Sequence, residues 1–124
     1  MRKKVLIVDD SAMMRKIVMK NLKEMGADFE AVEASDGEEA LKAFKGGGID
    51  LVLTDWNMPN MTGIDLVKAL REQDPQKKVP IIMITSEATA DKVKEAVLAG
   101  ANNYLTKPFT PDVFKSKLGP VFGL

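Results

Sequence analysis

The chain has 124 residues, enough for one domain core and too few for two, and 45% of them are hydrophobic, too many for a disordered segment. Its 18 basic and 18 acidic residues balance, so the net charge gives no footing for general nucleic-acid binding. Cys and His are both absent, which excludes disulfides, thiolate and imidazole metal sites, Cys nucleophiles and imidazole bases.

Chemistry therefore falls to Asp, Glu, Lys, Thr, Ser and the backbone, groups that suit hard cations such as magnesium and oxygen-rich ligands such as phosphates. The start Met1-Arg2-Lys3-Lys4 has the charge of a secretory n-region. The apolar run after it, Val5–Val8, ends at Asp9 and is too short for a signal peptide. No stretch approaches the roughly 20 apolar residues of a membrane span. A cytoplasmic protein without membrane insertion is expected.

Short β-rich runs alternate with amphipathic helical runs along the chain, which predicts an α/β fold with a parallel sheet. The first strand is Val5–Val8. A helix from about Ser11 to Met25 carries Met14, Ile17, Val18, Leu22 and Met25 on one face, and Gly26 stops it. A weaker strand spans Phe29–Ala34. Ser35-Asp36-Gly37-Glu38 matches a capping box and opens a helix to about Lys45, before the turn Gly46-Gly47-Gly48. Leu51–Thr54 is a strand buried on both faces.

The loop Trp56–Met61 leads to a helix from about Thr62 to Glu72, with Trp56 partly exposed over nearby apolar surface. Ile81–Ile84 is the fourth strand. A helix over Ala90–Ala99 turns Val93, Ala96 and Val97 inward and ends at Gly100. Asn103–Thr106 is the fifth strand. Thr110-Pro111 supplies an N-cap and a first-turn proline for a last helix, which weakens at Gly119-Pro120. The eight Met residues read as core filler.

Five β-α units fit a flavodoxin-like doubly wound sheet, in which the site lies at the carboxyl ends of the strands. Asp9 and Asp10 follow the first strand, Asp55 the third, Thr85 and Ser86 the fourth, and Lys107-Pro108 the fifth. Taken singly, each has a plainer reading: Asp10 as a helix cap, Asp55 as a polar strand end, Thr85 as an ordinary strand residue, Lys107 as a solvated loop cation. Together they place three carboxylates, a hydroxyl and a lysine on one edge. Clustered carboxylates repel unless a cation sits among them. An aspartate beside a lysine and a magnesium ion is set to attack phosphorus.

The stretches Leu6–Ser11, Thr54–Gly63, Ile84–Ala88 and Tyr104–Thr110 resemble the receiver domain of two-component response regulators, and more narrowly its chemotaxis, CheY-type branch. The resemblance covers nearly the whole chain and implies a single receiver domain over 1–124, a monomer, with five strands in the order 2-1-3-4-5 and five helices. It implies that Asp55 is the phosphoacceptor, and that Asp9, Asp10, Asp55 and the carbonyl of Asn57 hold Mg2+. Lys107 and Thr85 would bind the phosphoryl group, and Tyr104 would change its burial in response. Asn57 and Glu87 would tune dephosphorylation, and the Lys107–Pro108 bond would be cis.

The donor would be a phosphohistidine on a sensor histidine kinase (CheA-like). The output face would be the fourth helix, fifth strand and fifth helix, with Tyr104 and Lys117 facing a flagellar motor switch protein or a phosphatase. Two features depart from the chemotaxis pattern on that face: the break at Gly119-Pro120, and Thr89-Ala90 where basic residues are common.

A stand-alone receiver in another phosphorelay shares this chemistry and differs in output. An aspartate-nucleophile phosphatase of the haloacid-dehalogenase type needs a second acid two residues after the nucleophile, where this chain has Asn57. A flavodoxin-like flavin carrier would meet repulsion between Asp9-Asp10 and the flavin phosphate.

Overall fold

Residues 2–86 and 89–124 are described by a computed structural model of the chain. Strands β1 (Lys3–Val8), β2 (Phe29–Ala34), β3 (Leu51–Thr54), β4 (Ile81–Thr85) and β5 (Asn103–Thr106) form one sheet in the order β2-β1-β3-β4-β5. Every pair is parallel, in registers such as Val8 with Ala34, Val8 with Thr54 and Thr85 with Thr106. The fold is the flavodoxin-like α/β sheet. The chain leaves β1 for one edge and returns to β3 for the other, so the crevice where strand order reverses lies between β1 and β3.

Helices α1 (Ala12–Glu24) and α5 (Pro111–Leu118) cover one face of the sheet; α2 (Gly37–Lys45), α3 (Gly63–Gln73) and α4 (Ala90–Ala99) cover the other. Side-chain alternation along each strand divides the core accordingly. Leu6 and Val8 join Val52, Met83, Leu66 and Leu70 on the α2–α4 side, while Val5 and Ile7 join Leu53, Ile84, Leu22 and Phe114 on the α1–α5 side. The central strands β1, β3 and β4 are apolar on both faces because both faces are covered. Edge strand β2 buries only Ala34, which explains its weaker sequence signal.

Helix starts follow side-chain chemistry. Ser11, Thr62, Thr89 and Thr110 cap α1, α3, α4 and α5, each accepting from the backbone N–H three residues on. In α2 the cap is Asp36, which accepts from Glu39 N at 2.8 Å, one residue later than the box read from Ser35. Two overlapping boxes, Ser35-x-x-Glu38 and Asp36-x-x-Glu39, compete there. Asp36 takes the cap, and the Ser35 hydroxyl donates to the Glu39 carboxylate.

Two helix faces also differ from expectation. Val97 is 56% exposed because Ala96 takes the inward position on α4, and Ile17 is 38% exposed on the rim of α1. Helix α5 ends at Leu118, and a 3-10 turn over Gly119–Phe122 follows, with Val121 and Phe122 packed on the α1–α5 core. The break at Gly119-Pro120 changes the helix type without undocking the segment.

Candidate functional site

The carboxyl ends of β1, β3 and β5 deliver Asp9 and Asp10, Asp55, and Lys107 to the crevice between β1 and β3. One carboxylate oxygen from each of Asp9, Asp10 and Asp55 lies within 4.8 Å of the other two. Lys107 Nζ reaches in from the far side, 3.0 Å from Asp9 Oδ2 and 3.4 Å from Asp55 Oδ2. Asp9 is buried, Asp55 half-buried and Asp10 exposed, so the cluster grades from the sheet to solvent.

Backbone N–H groups hold the Asp9 and Asp55 carboxylates. Asp9 Oδ1 accepts from Ser11 N at 2.9 Å, and the Asp9 carbonyl accepts from Arg15 Nη1 at 2.6 Å. Arg15 is in turn held by Glu33, its Nε 2.9 Å from Glu33 Oε1. Asp55 Oδ1 accepts from Trp56 N at 2.7 Å, and the Asp55 carbonyl from the Thr54 hydroxyl at 3.0 Å. Burial pushes the Asp55 carboxyl above its usual range; Lys107 and the Trp56 N–H work against that shift, and the Asp9 charge adds to it.

The loop after β3 is seated by close packing. Gly63 N donates to the Trp56 carbonyl at 2.8 Å, and Asn60 takes a positive φ of 70°, which Asn tolerates. Trp56 is buried at 6% exposure, against the partly exposed ring read from sequence. Its indole belongs to the α2–α4 core, with Lys92 of α4 over the ring. Asn57 is exposed beside it.

Thr85 is buried at the end of β4, and its carbonyl accepts from Lys107 N at 2.8 Å, so β4 sets where the lysine segment begins. The Lys107–Pro108 peptide bond is cis. Tyr104, opposite Met83 in the sheet, is half-buried against the α2–α4 core, and Lys117 Nζ lies 4.7 Å from its ring centroid. Glu87 lies outside the described residues. An apolar cleft of about 370 Å3, lined by Met14, Ile17, Ser86, Lys107, Pro108 and Phe109, opens beside Lys107 on the α1 side.

Sequence reasoning brings Asp9, Asp10, Asp55 and Lys107 together correctly, but it misses Arg15. Spacing offers a signal: Arg15 begins one helical turn after Ser11, within reach of the strand end. Asp10, which alone read as a cap, yields that role to Ser11.

Three carboxylates face one ammonium group here, and the donors are all oxygen. That set fits a hard divalent cation, which would relieve the repulsion. Chemically, the edge can hold such a cation, and it presents a desolvated carboxylate to an incoming electrophile.

Comparison with known proteins gives a consistent picture. The family model described as "response regulator receiver domain" matches residues 5–119. The chain is 46% identical to the chemotaxis protein CheY of Pseudomonas aeruginosa over 119 residues, 96% of this chain and 95% of that protein. It is 47% identical to CheY-3 of Vibrio cholerae, across 96% of this chain and 91% of the relative. Among solved structures, Vibrio cholerae CheY4 superposes with a TM-score of 0.87 at 40% identity, covering 98% of this chain and 99% of that one.

Proposed function

The chain belongs to the response regulator receiver domain family, whose members take up a phosphoryl group and do not turn over a substrate as enzymes do; on that premise we propose that it is a phosphorylation switch with Asp55 as acceptor. The observation that carries this reading is the convergence of Asp9, Asp10, Asp55 and Lys107 on one strand edge. The donor is a phosphohistidine on a CheA-like sensor kinase. A carboxylate oxygen of Asp55 attacks phosphorus, an O–P bond forms, the P–N bond breaks, and the imidazole leaves with the electron pair and gains a proton.

Residues of this chain prepare that transfer. The Trp56 N–H holds one Asp55 oxygen and so aims the other. Lys107, already 3.4 Å from Asp55, offers its ammonium to the charged phosphoryl oxygens. Asp9, Asp10, Asp55 and the Asn57 carbonyl would hold Mg2+, which neutralises charge on the transferring group. The Thr85 hydroxyl then bonds a phosphoryl oxygen, and Tyr104 on β5 adjusts its burial. Asn57 and Glu87 tune hydrolysis.

The output face is α4, β5 and α5. Exposed Val97, Leu98 and Val113 together with Lys117 over Tyr104 support it as a partner surface. The relatives named above are chemotaxis proteins, which favours a flagellar motor switch protein or a phosphatase as partner. Residues 1–124 act as one monomeric receiver in the cytoplasm, and among the described residues no helix is long and apolar enough to cross a membrane. A receiver in another phosphorelay would have the same site and a different binder on that face. The test is incubation with acetyl phosphate and magnesium followed by intact mass. Transient gain of one phosphoryl group, abolished in Asp55→Asn, supports the reading.

A further inference from the structure

Asp9 and Asp10 are adjacent in the chain, and the peptide unit between them joins two of the three clustered carboxylates. Asp9 is held at several points. Its N–H donates to the Ala34 carbonyl at 3.1 Å, its Oδ1 accepts from Ser11 N at 2.9 Å, and its Oδ2 pairs with Lys107 at 3.0 Å. Asp10 is exposed, and among the described residues its carboxylate has no hydrogen bond. Its place is therefore set through the backbone. A peptide unit is planar, so a group that grips the Asp9 carbonyl oxygen also fixes the direction to the Asp10 Cα.

Arg15 supplies that grip. Its Nη1 donates to the Asp9 carbonyl at 2.6 Å, and its Nε donates to Glu33 Oε1 at 2.9 Å. Sheet register explains the meeting. Glu33 pairs with Ile7, whose side chain lies on the α1–α5 side, and Ala34 after it turns to the α2–α4 side. Alternation sends Glu33 toward α1, the helix that carries Arg15. Arg15 is 15% exposed and Glu33 44%, so the guanidinium is shielded and its brace is open to solvent. A planar guanidinium holds its donors in fixed directions and can bridge two acceptors at once.

We propose that Arg15, braced by Glu33, is a positioning residue that sets the Asp9–Asp10 peptide so that Asp10 faces the magnesium ion. The proposal rests on the reading of Asp9, Asp10 and Asp55 as the magnesium site. Charge and position make opposite demands here. As a charge alone, Arg15 is a cation beside a cation site, so its removal would tighten magnesium binding. As a positioning residue it favours magnesium, and its removal loosens binding.

Calorimetric titration with magnesium chloride reads the sign on the wild type, Arg15→Met, Glu33→Ala and the double variant, in ~0.15 M salt to screen distant charges. Urea unfolding in chelator records the stability of each. Arg15→Met keeps an unbranched stem and loses the charge and the donors. It is expected to weaken magnesium about tenfold, the usual cost of losing a group that orients a metal ligand. Glu33→Ala is expected to weaken magnesium by a smaller factor, and to add nothing when combined with Arg15→Met. Affinity in Arg15→Met equal to that of the wild type or tighter, whatever its stability, overturns the proposal. A further loss on adding Glu33→Ala to Arg15→Met shows that Glu33 acts by its own charge and overturns the brace. Glu33 lies on the edge strand, so Glu33→Ala keeps the test open if Arg15→Met fails to fold; unaltered affinity in that variant overturns the proposal. A wild type that binds no magnesium overturns the metal-site reading and the proposal together.

Discussion

Gly63 lies so close beneath Asp55 that a Cβ at position 63 would stand 2.3 Å from the Asp55 carbonyl oxygen. The first residue of α3 thus fits under the strand end that bears the proposed acceptor, and its N–H closes the loop onto the Trp56 carbonyl. The Met83 methyl, 2.8 Å away, could swing aside, but Trp56 Cα at 2.9 Å is backbone like the Asp55 carbonyl, so those two contacts cannot yield. Gly63→Ala is expected to lose about 1–3 kcal/mol of stability in urea unfolding, the usual cost of overpacking. It should also weaken the magnesium response of Trp56 fluorescence, since the displaced segment carries Asp55.

Burial is the main reason the Asp55 carboxyl is pushed up, ahead of the opposing pull of Lys107 and the Trp56 N–H. A carboxyl raised in the folded state destabilises the fold when ionised, and that penalty fades as pH falls through the folded value. Metal-free Asp55→Asn is therefore expected to melt above the wild type at pH 7. The difference should shrink on acidification toward the ordinary value of 3.8. Thermal melts across that range, in chelator, check the sign.

Magnesium that binds only the folded chain should reverse this order. At a metal concentration ten times the dissociation constant, the wild type is expected to gain about 1.4 kcal/mol. Asp10→Ala, which removes the exposed member of the cluster, should shift the titration of Trp56 fluorescence to higher metal.

Arg71 ties together segments far apart in the chain, and four acceptors depend on it. Arg71→Ala is expected to cost about 2–4 kcal/mol in urea unfolding, because charged hydrogen bonds are lost and carbonyls are left bare. Burial alone would raise its partner Asp74, but the N–H groups of Val79 and Lys78 and the guanidinium outweigh it and hold that carboxyl low. A depressed carboxyl stabilises the fold fully above its unfolded value of 3.8 and loses that contribution as pH falls through the folded value. Asp74→Asn should thus be destabilised at pH 7 and approach the wild type in acid.

The strand-end cluster is legible in the sequence because a parallel sheet sends every strand's carboxyl end to one edge, so Asp9, Asp55 and Lys107 need only their strands to be found. The Thr110 cap is equally legible, since capping is local chemistry, whereas the caps at Thr62 and Thr89 emerge from the structure. Arg71 is not: a basic residue in the last turn of a helix reads as a partner of the helix dipole, and its acceptors at Val79, Gly100 and Asn102 are brought near only by the fold. Trp56 is misread for the same reason, because its burial depends on core packing and on Lys92 arriving from α4. Gly63 reads as an ordinary helix start, and the backbone that forbids a side chain there belongs to another element.

Thr85 and Tyr104 form the proposed relay to the α4–β5–α5 face. Thr85→Ala is expected to accept phosphate yet lose most of the phosphorylation-dependent gain in affinity for a flagellar motor switch peptide. For a coupling of about 1–3 kcal/mol, that gain is about 5–150-fold in the wild type. Titration of both forms of the variant with the peptide measures it.

Asp55 as the acceptor is tested by intact mass, with peptide mapping of the modified residue, after incubation with acetyl phosphate and magnesium. The wild type is expected to gain one phosphoryl group on Asp55 and lose it over time, and Asp55→Asn to gain none. A phosphoryl group that appears on Asp55→Asn at the wild-type rate, or one mapped to another residue of the wild type, contradicts the claim.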